Sequence, residues 1–130
     1  MSLYLDSSAL VKLVQEEHGS NALRSYLRSH SDRLVSSALA RVEVVRAVRD
    51  GGPDMVPLAR RQFRRLFLVP LHRPLLDDAS ELGSGLLGSL DAIHLATARR
   101  LGAELRAVVT YDVRMQAEAT ALGMPTAAPS

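Results

Sequence analysis

Four acidic residues stand in apolar surroundings, where a carboxylate is costly unless something neutralises it. They lie far apart in the chain, in the segments LYLD, ARVEVV, SLDAIHL and VVTYD, and they are Asp6, Glu43, Asp91 and Asp112. Most of the other acids fall in polar or turn contexts, which are typical of solvated surface charges. The four residues are therefore the candidates for a functional site.

Carboxylates that converge repel one another, and either arginine partners or a divalent cation can relieve the repulsion. A donor set made only of oxygen suits a hard cation such as magnesium or manganese. Zinc and copper are less favoured, because the chain has no cysteine and no pair of histidines at metal-ligand spacing. A magnesium ion held in this way can activate a water molecule against a phosphodiester. The pattern thus predicts metal-dependent phosphodiester hydrolysis.

Each acid also has an ordinary structural explanation that the sequence leaves open. Asp6, Asp91 and Asp112 each precede or open a predicted helix, where a carboxylate can cap the first turn or interact with the helix dipole. Glu43 is predicted about two turns into its helix, where it has no capping role. An ion pair with Arg46 is the structural alternative for Glu43.

The elements that must position these acids alternate along the chain. Apolar runs predict strands at residues 3–6, 33–37, 67–71 and 106–111, and a short edge strand in the tail after 123. Helical spacing predicts helices from about 7, 20, 38, 57, 74, 90 and 112, the fifth of them reaching residue 87. This order predicts a three-layer α/β/α domain with a central, mainly parallel sheet of four to five strands flanked by about seven helices. In such sheets ligands bind at the carboxyl ends of the strands, where Asp6 and Asp112 stand.

Length and composition exclude several classes of protein. At 130 residues, with 47% hydrophobic and 23% charged residues, the chain is expected to form one globular domain over residues 1–130. No apolar run approaches the roughly 20 residues that span a bilayer. The N-terminus MSLYLDSSALVKL lacks the features of a signal peptide, so a cytoplasmic protein without membrane contact is expected.

Four stretches together resemble the PIN-domain ribonucleases, and in particular the VapC toxins of type II toxin–antitoxin modules. They are LYLDSSALVKL at the N-terminus, SSALARVEVVRA near residue 40, SLDAIHLATARRLG near 95 and VVTYDVRM near 112. Their order and spacing cover nearly the whole chain. The combination of DAIHLATA with an N-terminal YLDSSAL is specific, whereas either motif alone would not be.

The resemblance implies a catalytic site and a biological setting. It implies that Asp6, Glu43, Asp91 and Asp112 bind magnesium or manganese and cleave single-stranded RNA. It also implies that Ser8 and Thr110 support this cluster by hydrogen bonds, that the chain forms a homodimer, and that a cognate antitoxin protein inhibits it. Residues 50–75 match nothing common to the family, so substrate choice is expected to reside there.

Arginines supply the candidate contacts to RNA or to an acidic antitoxin. Lys12 is the only lysine among the 16 basic residues, and arginine suits bidentate contacts to phosphate and carboxylate. Within ARRQFRRLF, like charges stand four residues apart and are destabilising without a partner. The candidates for these contacts are Arg60, Arg61, Arg64, Arg65 and Arg114.

Two other functions compete with the ribonuclease. One is an aspartate-based α/β phosphatase, which is disfavoured because the residue two positions after Asp6 is Ser8 rather than a second aspartate. The other is a PIN-like module that binds RNA or protein without catalysis, for which four clustered carboxylates would have little use.

His94, one helical turn after Asp91, is either a general base or a hydrogen-bonded, partly buried histidine.

Overall fold

A computed structural model describes all residues from 1 to 130, and strands and helices alternate through most of the chain. The strands are β1 (Ser2–Leu5), β2 (Arg33–Ser37), β3 (Phe67–Val69), β4 (Leu105–Val109) and β5 (Thr126–Ala127). The helices are α1 (Ser7–Val14), α2 (Ser20–Ser29), α3 (Ala40–Val48), α4 (Met55–Phe63), α5 (Arg73–Ser80), α6 (Ser89–Arg99) and α7 (Val113–Ala121). Arg49–Gly51 and Gly102–Glu104 form short 3₁₀ turns. No helix is both long enough and apolar enough to cross a membrane.

The five strands form one parallel sheet in the order β3-β2-β1-β4-β5. Strand β1 lies at the centre, with Tyr4 aligned to Val35 of β2 on one side and to Val108 of β4 on the other. The tail adds the short edge strand that the sequence predicts, with Thr126 aligned to Val108. Because all strands run the same way, their carboxyl ends lie at one edge of the sheet.

Helices cover both faces of this sheet, so the predicted three-layer arrangement is confirmed. Successive residues of a strand point to opposite faces. Leu3 and Leu5 pack with residues of α1 to α4 on one face, whereas Tyr4 packs with Leu95 of α6 and Met115 of α7 on the other. Helix α5 packs on α6 through a smaller apolar cluster.

The bounds of several predicted helices differ from the observed ones by a few residues, and two of the differences matter for the site and the loop after α5. The helix expected to reach residue 87 ends at Ser80, and a loop follows. Gly83 in this loop has a φ of +77°, a conformation that glycine adopts without strain. The prediction for Glu43 was also wrong: α3 begins at Ala40, so Glu43 lies in the first turn rather than two turns in.

Candidate active site

The four acids occupy the edge of the sheet where the strands end. Asp6 directly follows β1, and Asp112 follows the neighbouring strand β4 by three residues. Glu43 lies in the first turn of α3, which follows β2 on the other side of β1. Asp91 lies in the first turn of α6, a helix that packs against β2 and β4. The sheet topology therefore gathers residues that are separated by up to 106 positions in the sequence.

Asp6 is buried and fixed by three hydrogen bonds. Its Oδ1 accepts from the Ser8 hydroxyl at 2.6 Å and from the Ala9 backbone N–H at 3.1 Å, and its Oδ2 accepts from the Thr110 hydroxyl at 2.5 Å. It is thus the N-cap of α1, which is the structural explanation that the sequence also allowed. Burial raises the pKa of Asp6, and this effect outweighs the hydrogen bonds and the charge of His94. The hydrogen bonds expected of Ser8 and Thr110 are present.

Asp112 caps α7 and is linked to Asp6 through one side chain. Its Oδ1 accepts from the backbone N–H groups of Arg114 and Met115 at 2.9 and 3.2 Å. The Thr110 hydroxyl, which donates to Asp6, also accepts from the backbone N–H of Asp112 at 3.1 Å. The capping explanation is therefore correct for both acids. A capping role engages only Oδ1 of Asp112 and leaves Oδ2 without a protein donor.

Glu43 is held by Ser7 and His94 rather than by Arg46. Its Oε1 accepts from the Ser7 hydroxyl at 2.5 Å and from His94 Nε2 at 2.6 Å. Partial burial alone would raise the pKa of Glu43, but the hydrogen bonds from His94 and Ser7 and the charge of His94 lower it overall. Oε2 has no protein donor. The expected alternative partner Arg46 is exposed and forms no ion pair with Glu43.

The side chain of Asp91 forms no hydrogen bond and no ion pair within the protein. It does not cap α6, because the N-cap is Gly88 and no side chain caps that helix. Partial burial raises the pKa of Asp91, and the negative charges of Asp112, Asp6 and Glu43 raise it further, against a smaller opposing effect of His94. Asp91 is therefore a half-buried carboxylate that the other three acids repel electrostatically.

No arginine or lysine neutralises this group of acids. Five ion pairs join arginine, lysine or the N-terminus to acids elsewhere, and none involves the four acids. Glu43 contacts His94, which is charged only when it is protonated. Of the two remedies for converging carboxylates, arginine pairing is thus absent from the structure.

The donor set fits a hard divalent cation in its chemistry. The carboxylate oxygens without protein donors are both oxygens of Asp91, Oδ2 of Asp112 and Oε2 of Glu43, and such oxygens are the ligands that magnesium and manganese prefer. No three acidic or histidine side chains already stand at metal-ligand spacing. Binding an ion would therefore require these side chains to draw together.

The candidate arginines divide into two groups. Arg114 lies in the first turn of α7, beside Asp112, and is exposed. The other four are exposed on and after α4 without ion pairs, and they are Arg60, Arg61, Arg64 and Arg65. Arg65 lines a cavity together with Arg24, Arg28 and Arg33, and none of the four acids lines that cavity.

Sequence reasoning missed how Ser7 and Tyr4 take part in the site. Ser7 donates to Glu43, and the Tyr4 hydroxyl lies 2.7 Å from Nδ1 of the buried His94. Ser7 stands next to Asp6 in the chain, which was the available signal for it. Of the two interpretations of His94, the hydrogen-bonded histidine matches the observed contacts.

The fold and the site together define a member of the PIN domain family. The model of the PIN domain matches residues 3–120, and the chain belongs to this family. Its curated relatives include ribonuclease VapC46 of Mycobacterium tuberculosis (strain ATCC 25618 / H37Rv), which is 50% identical over 129 residues, covering 99% of this chain and 98% of the relative. Ribonuclease VapC47 of M. tuberculosis (strain CDC 1551 / Oshkosh) is 40% identical over 131 residues, covering 98% and 96%.

A solved structure is similar in fold over the same length. It is the crystal structure of M. tuberculosis VapC20, described as a toxin that cleaves the sarcin–ricin loop, with a TM-score of 0.77. The match covers 98% of this chain and 99% of VapC20 at 16% identity, so it bears on the fold alone. The predictions of a PIN-like α/β fold and of a VapC-type PIN-domain ribonuclease are confirmed.

Proposed function

We propose that this chain is the toxin of a toxin–antitoxin module and hydrolyses RNA phosphodiester bonds at Asp6, Glu43, Asp91 and Asp112 with magnesium or manganese. The proposal rests mainly on one observation: the half-buried carboxylate of Asp91 lies near three other acids and forms no ion pair with an arginine or a lysine. A purely structural role would have favoured an amide or an ion pair at this position. The ribonuclease names of the relatives support the same reaction.

Protein hydrogen bonds hold three of the four acids, whereas the Asp91 side chain has no partner and is free to move toward an ion. Three hydrogen bonds fix Asp6, the helix cap fixes Asp112, and Ser7 with His94 fixes Glu43. When bound, the divalent cation supplies an activated water and offsets charge on the phosphate and leaving oxygen. Asp91 and the free oxygens of Asp112 and Glu43 would hold it, and Asp6 contributes negative charge from the buried side.

Arginines supply the contacts to RNA or to the antitoxin in this proposal. Arg114 lies two residues after Asp112, and we expect its side chain to contact a phosphate group near the acids. Arg60, Arg61, Arg64 and Arg65 are exposed on and after α4, and their charge suits either the RNA backbone or an acidic segment of the antitoxin.

The remaining sequence predictions belong to the same proposal. They are one PIN domain over residues 1–130, a homodimer, a cognate antitoxin protein, and a cytoplasmic location, where RNA is found. The oligomeric state, the antitoxin and the location need tests of their own, apart from the assay for the reaction.

The proposal is tested by incubating the purified chain with mixed RNA and manganese or magnesium, with and without a chelator. We expect the chelator to abolish cleavage. We also expect Asp91→Asn to lower the cleavage rate by orders of magnitude. The matched control is Asp77→Asn, an exposed acid on α5 with no side-chain partner. RNA binding without cleavage would favour the non-catalytic module, and phosphate release from a small ester would favour the phosphatase. Cleavage that survives chelation would contradict the metal site.

A further inference from the structure

A buried polar chain connects the middle of the sheet to the acidic site. The Tyr4 side chain is fully buried on β1, and its hydroxyl lies 2.7 Å from Nδ1 of His94. His94 on α6 is only 2% exposed, and its Nε2 lies 2.6 Å from Oε1 of Glu43 on α3. The two rings meet edge to face with centroids 5.9 Å apart. These three residues, the Tyr4–His94–Glu43 chain, come from three different elements.

When His94 is neutral, the hydrogen-bond donors and acceptors of the Tyr4–His94–Glu43 chain have one consistent assignment. A carboxylate only accepts hydrogen bonds, so Nε2 of His94 must donate to Glu43. The other ring nitrogen, Nδ1, is then an acceptor, and the Tyr4 hydroxyl donates a hydrogen bond to it. Tyr4 thereby selects the His94 tautomer that can donate to Glu43, since the partner of one ring nitrogen sets the role of the other.

Both donors to Glu43 use the same oxygen. Ser7 and Nε2 of His94 donate to Oε1, which leaves Oε2 free. A glutamate side chain has three rotatable bonds, and ordering it costs rotamer entropy. His94 is buried and fixed by Tyr4, so it is a rigid support for a flexible ligand. Glu43, at 22% exposure, would otherwise be free to turn into solvent.

We infer that His94, oriented by Tyr4, is a positioning residue that holds Glu43 by Oε1 and keeps Oε2 available to the divalent cation of the acidic site. This inference rests on the proposed function, and it adds two residues that do not touch the RNA. His94 acts through Glu43. Partners of this kind behind a metal ligand are commonly worth 10–100-fold in metal affinity or activity.

Two substitutions of similar size separate positioning from packing. The terminal amide nitrogen of glutamine reaches about as far as Nε2, whereas that of asparagine reaches about as far as Nδ1. His94→Gln therefore retains a donor for Glu43, and His94→Asn retains only a group near Tyr4. Tyr4→Phe removes the hydroxyl and leaves the ring. His18→Asn, at an exposed histidine, is the control.

The measurements are manganese affinity by titration calorimetry, melting temperature without metal, and kcat and KM for RNA. We expect His94→Asn to weaken manganese binding and lower kcat by about tenfold or more with KM for RNA unchanged. His94→Gln should stay within about threefold of the unmodified chain, and Tyr4→Phe should fall between the two. A purely structural role would lower the melting temperature and the affinity of both His94 variants alike.

Three results would overturn the inference. One is unaltered manganese affinity in a folded His94→Asn chain, and another is equal loss in His94→Gln and His94→Asn. If neither variant folds, unaltered affinity in Tyr4→Phe is the third. In all three cases the unmodified chain still binds manganese and cleaves RNA, so the proposed function survives. If the unmodified chain binds manganese no better than Asp91→Asn and cleaves nothing, both proposals fall.

Discussion

Asp91 differs from the other three acids because no protein group donates a hydrogen bond to its side chain. Asp6 and Asp112 satisfy helix N-termini, and Glu43 is held by His94 and Ser7, so each would have a place in the fold without any reaction. The sequence already offered the capping and the catalytic interpretations of Asp6 and Asp112 as alternatives. The structure shows that capping uses part of each carboxylate, so the two interpretations do not exclude each other.

The raised pKa of Asp91 predicts how its removal changes stability with pH. Burial and the neighbouring negative charges raise this pKa in the folded chain, so the ionised form destabilises the fold at pH 7. Asp91→Asn is therefore expected to melt at a higher temperature than the unmodified chain at pH 7 without metal. Below about pH 3.9, the ordinary aspartate pKa, the carboxyl is protonated in both the folded and unfolded chains, and the gain should vanish.

Thermal unfolding followed by circular dichroism across this pH range checks the prediction. Asp77→Asn, at an exposed acid outside the site, should show no such gain at neutral pH. A lower melting temperature for Asp91→Asn at pH 7 would mean that the carboxylate is compensated within the protein. Asp91 would then have a structural role that needs no metal ion.

At the scale of elements, most strands and helices could be predicted because apolar runs stop at polar or breaking residues. The end of α5 could not. Leu82, Leu86 and Leu87 continue the apolar spacing of a helix, yet the chain leaves the helix at Ser80. A backbone conformation at Gly83 that few other residues adopt decides the path of the loop, and the periodicity of side chains does not encode it.

Gly83→Ala is expected to destabilise the chain by about 1–2 kcal/mol, because alanine is strained at a φ of +77°. Its Cβ would also stand 2.6 Å from Cδ2 of Leu87, so that side chain must move. Urea unfolding measures the change. Gly85→Ala is the matched control, since a Cβ there meets nothing within 4 Å. Equal stability of the two variants would contradict the loop conformation described for Gly83.

The arginines on and after α4 are expected to affect RNA binding rather than the chemical step. If this surface meets the RNA backbone, Arg60→Gln combined with Arg64→Gln should raise KM for RNA severalfold with kcat unchanged. The salt dependence of binding should also weaken, because fewer counterions are released. Arg99→Gln, at an exposed arginine of α6, is the control. Unchanged KM and salt dependence would leave the antitoxin as the partner for this surface.

At the scale of the whole molecule, the site depends on a strand order that the sequence pattern does not contain. Alternating strands and helices predict a parallel sheet, but many strand orders satisfy that alternation. The observed order places β1 between β2 and β4, which brings Asp6 between Glu43 and Asp112. Contacts across this arrangement, such as His94 with Glu43 at 51 positions' separation, follow from tertiary packing. Local sequence patterns do not predict that the four acids meet at one site. The resemblance to a known family does predict it.

The central claim is that the four acids share a divalent cation, and locating the ion tests it most directly. Crystals of the unmodified chain grown with manganese should show an anomalous difference peak at coordination distance from Asp91 and at least one of Asp6, Glu43 and Asp112. Crystals of Asp91→Asn grown in the same way should show this peak weakened or lost. A well-ordered site without a peak in the unmodified chain, or a peak bound only to residues elsewhere, would contradict the account.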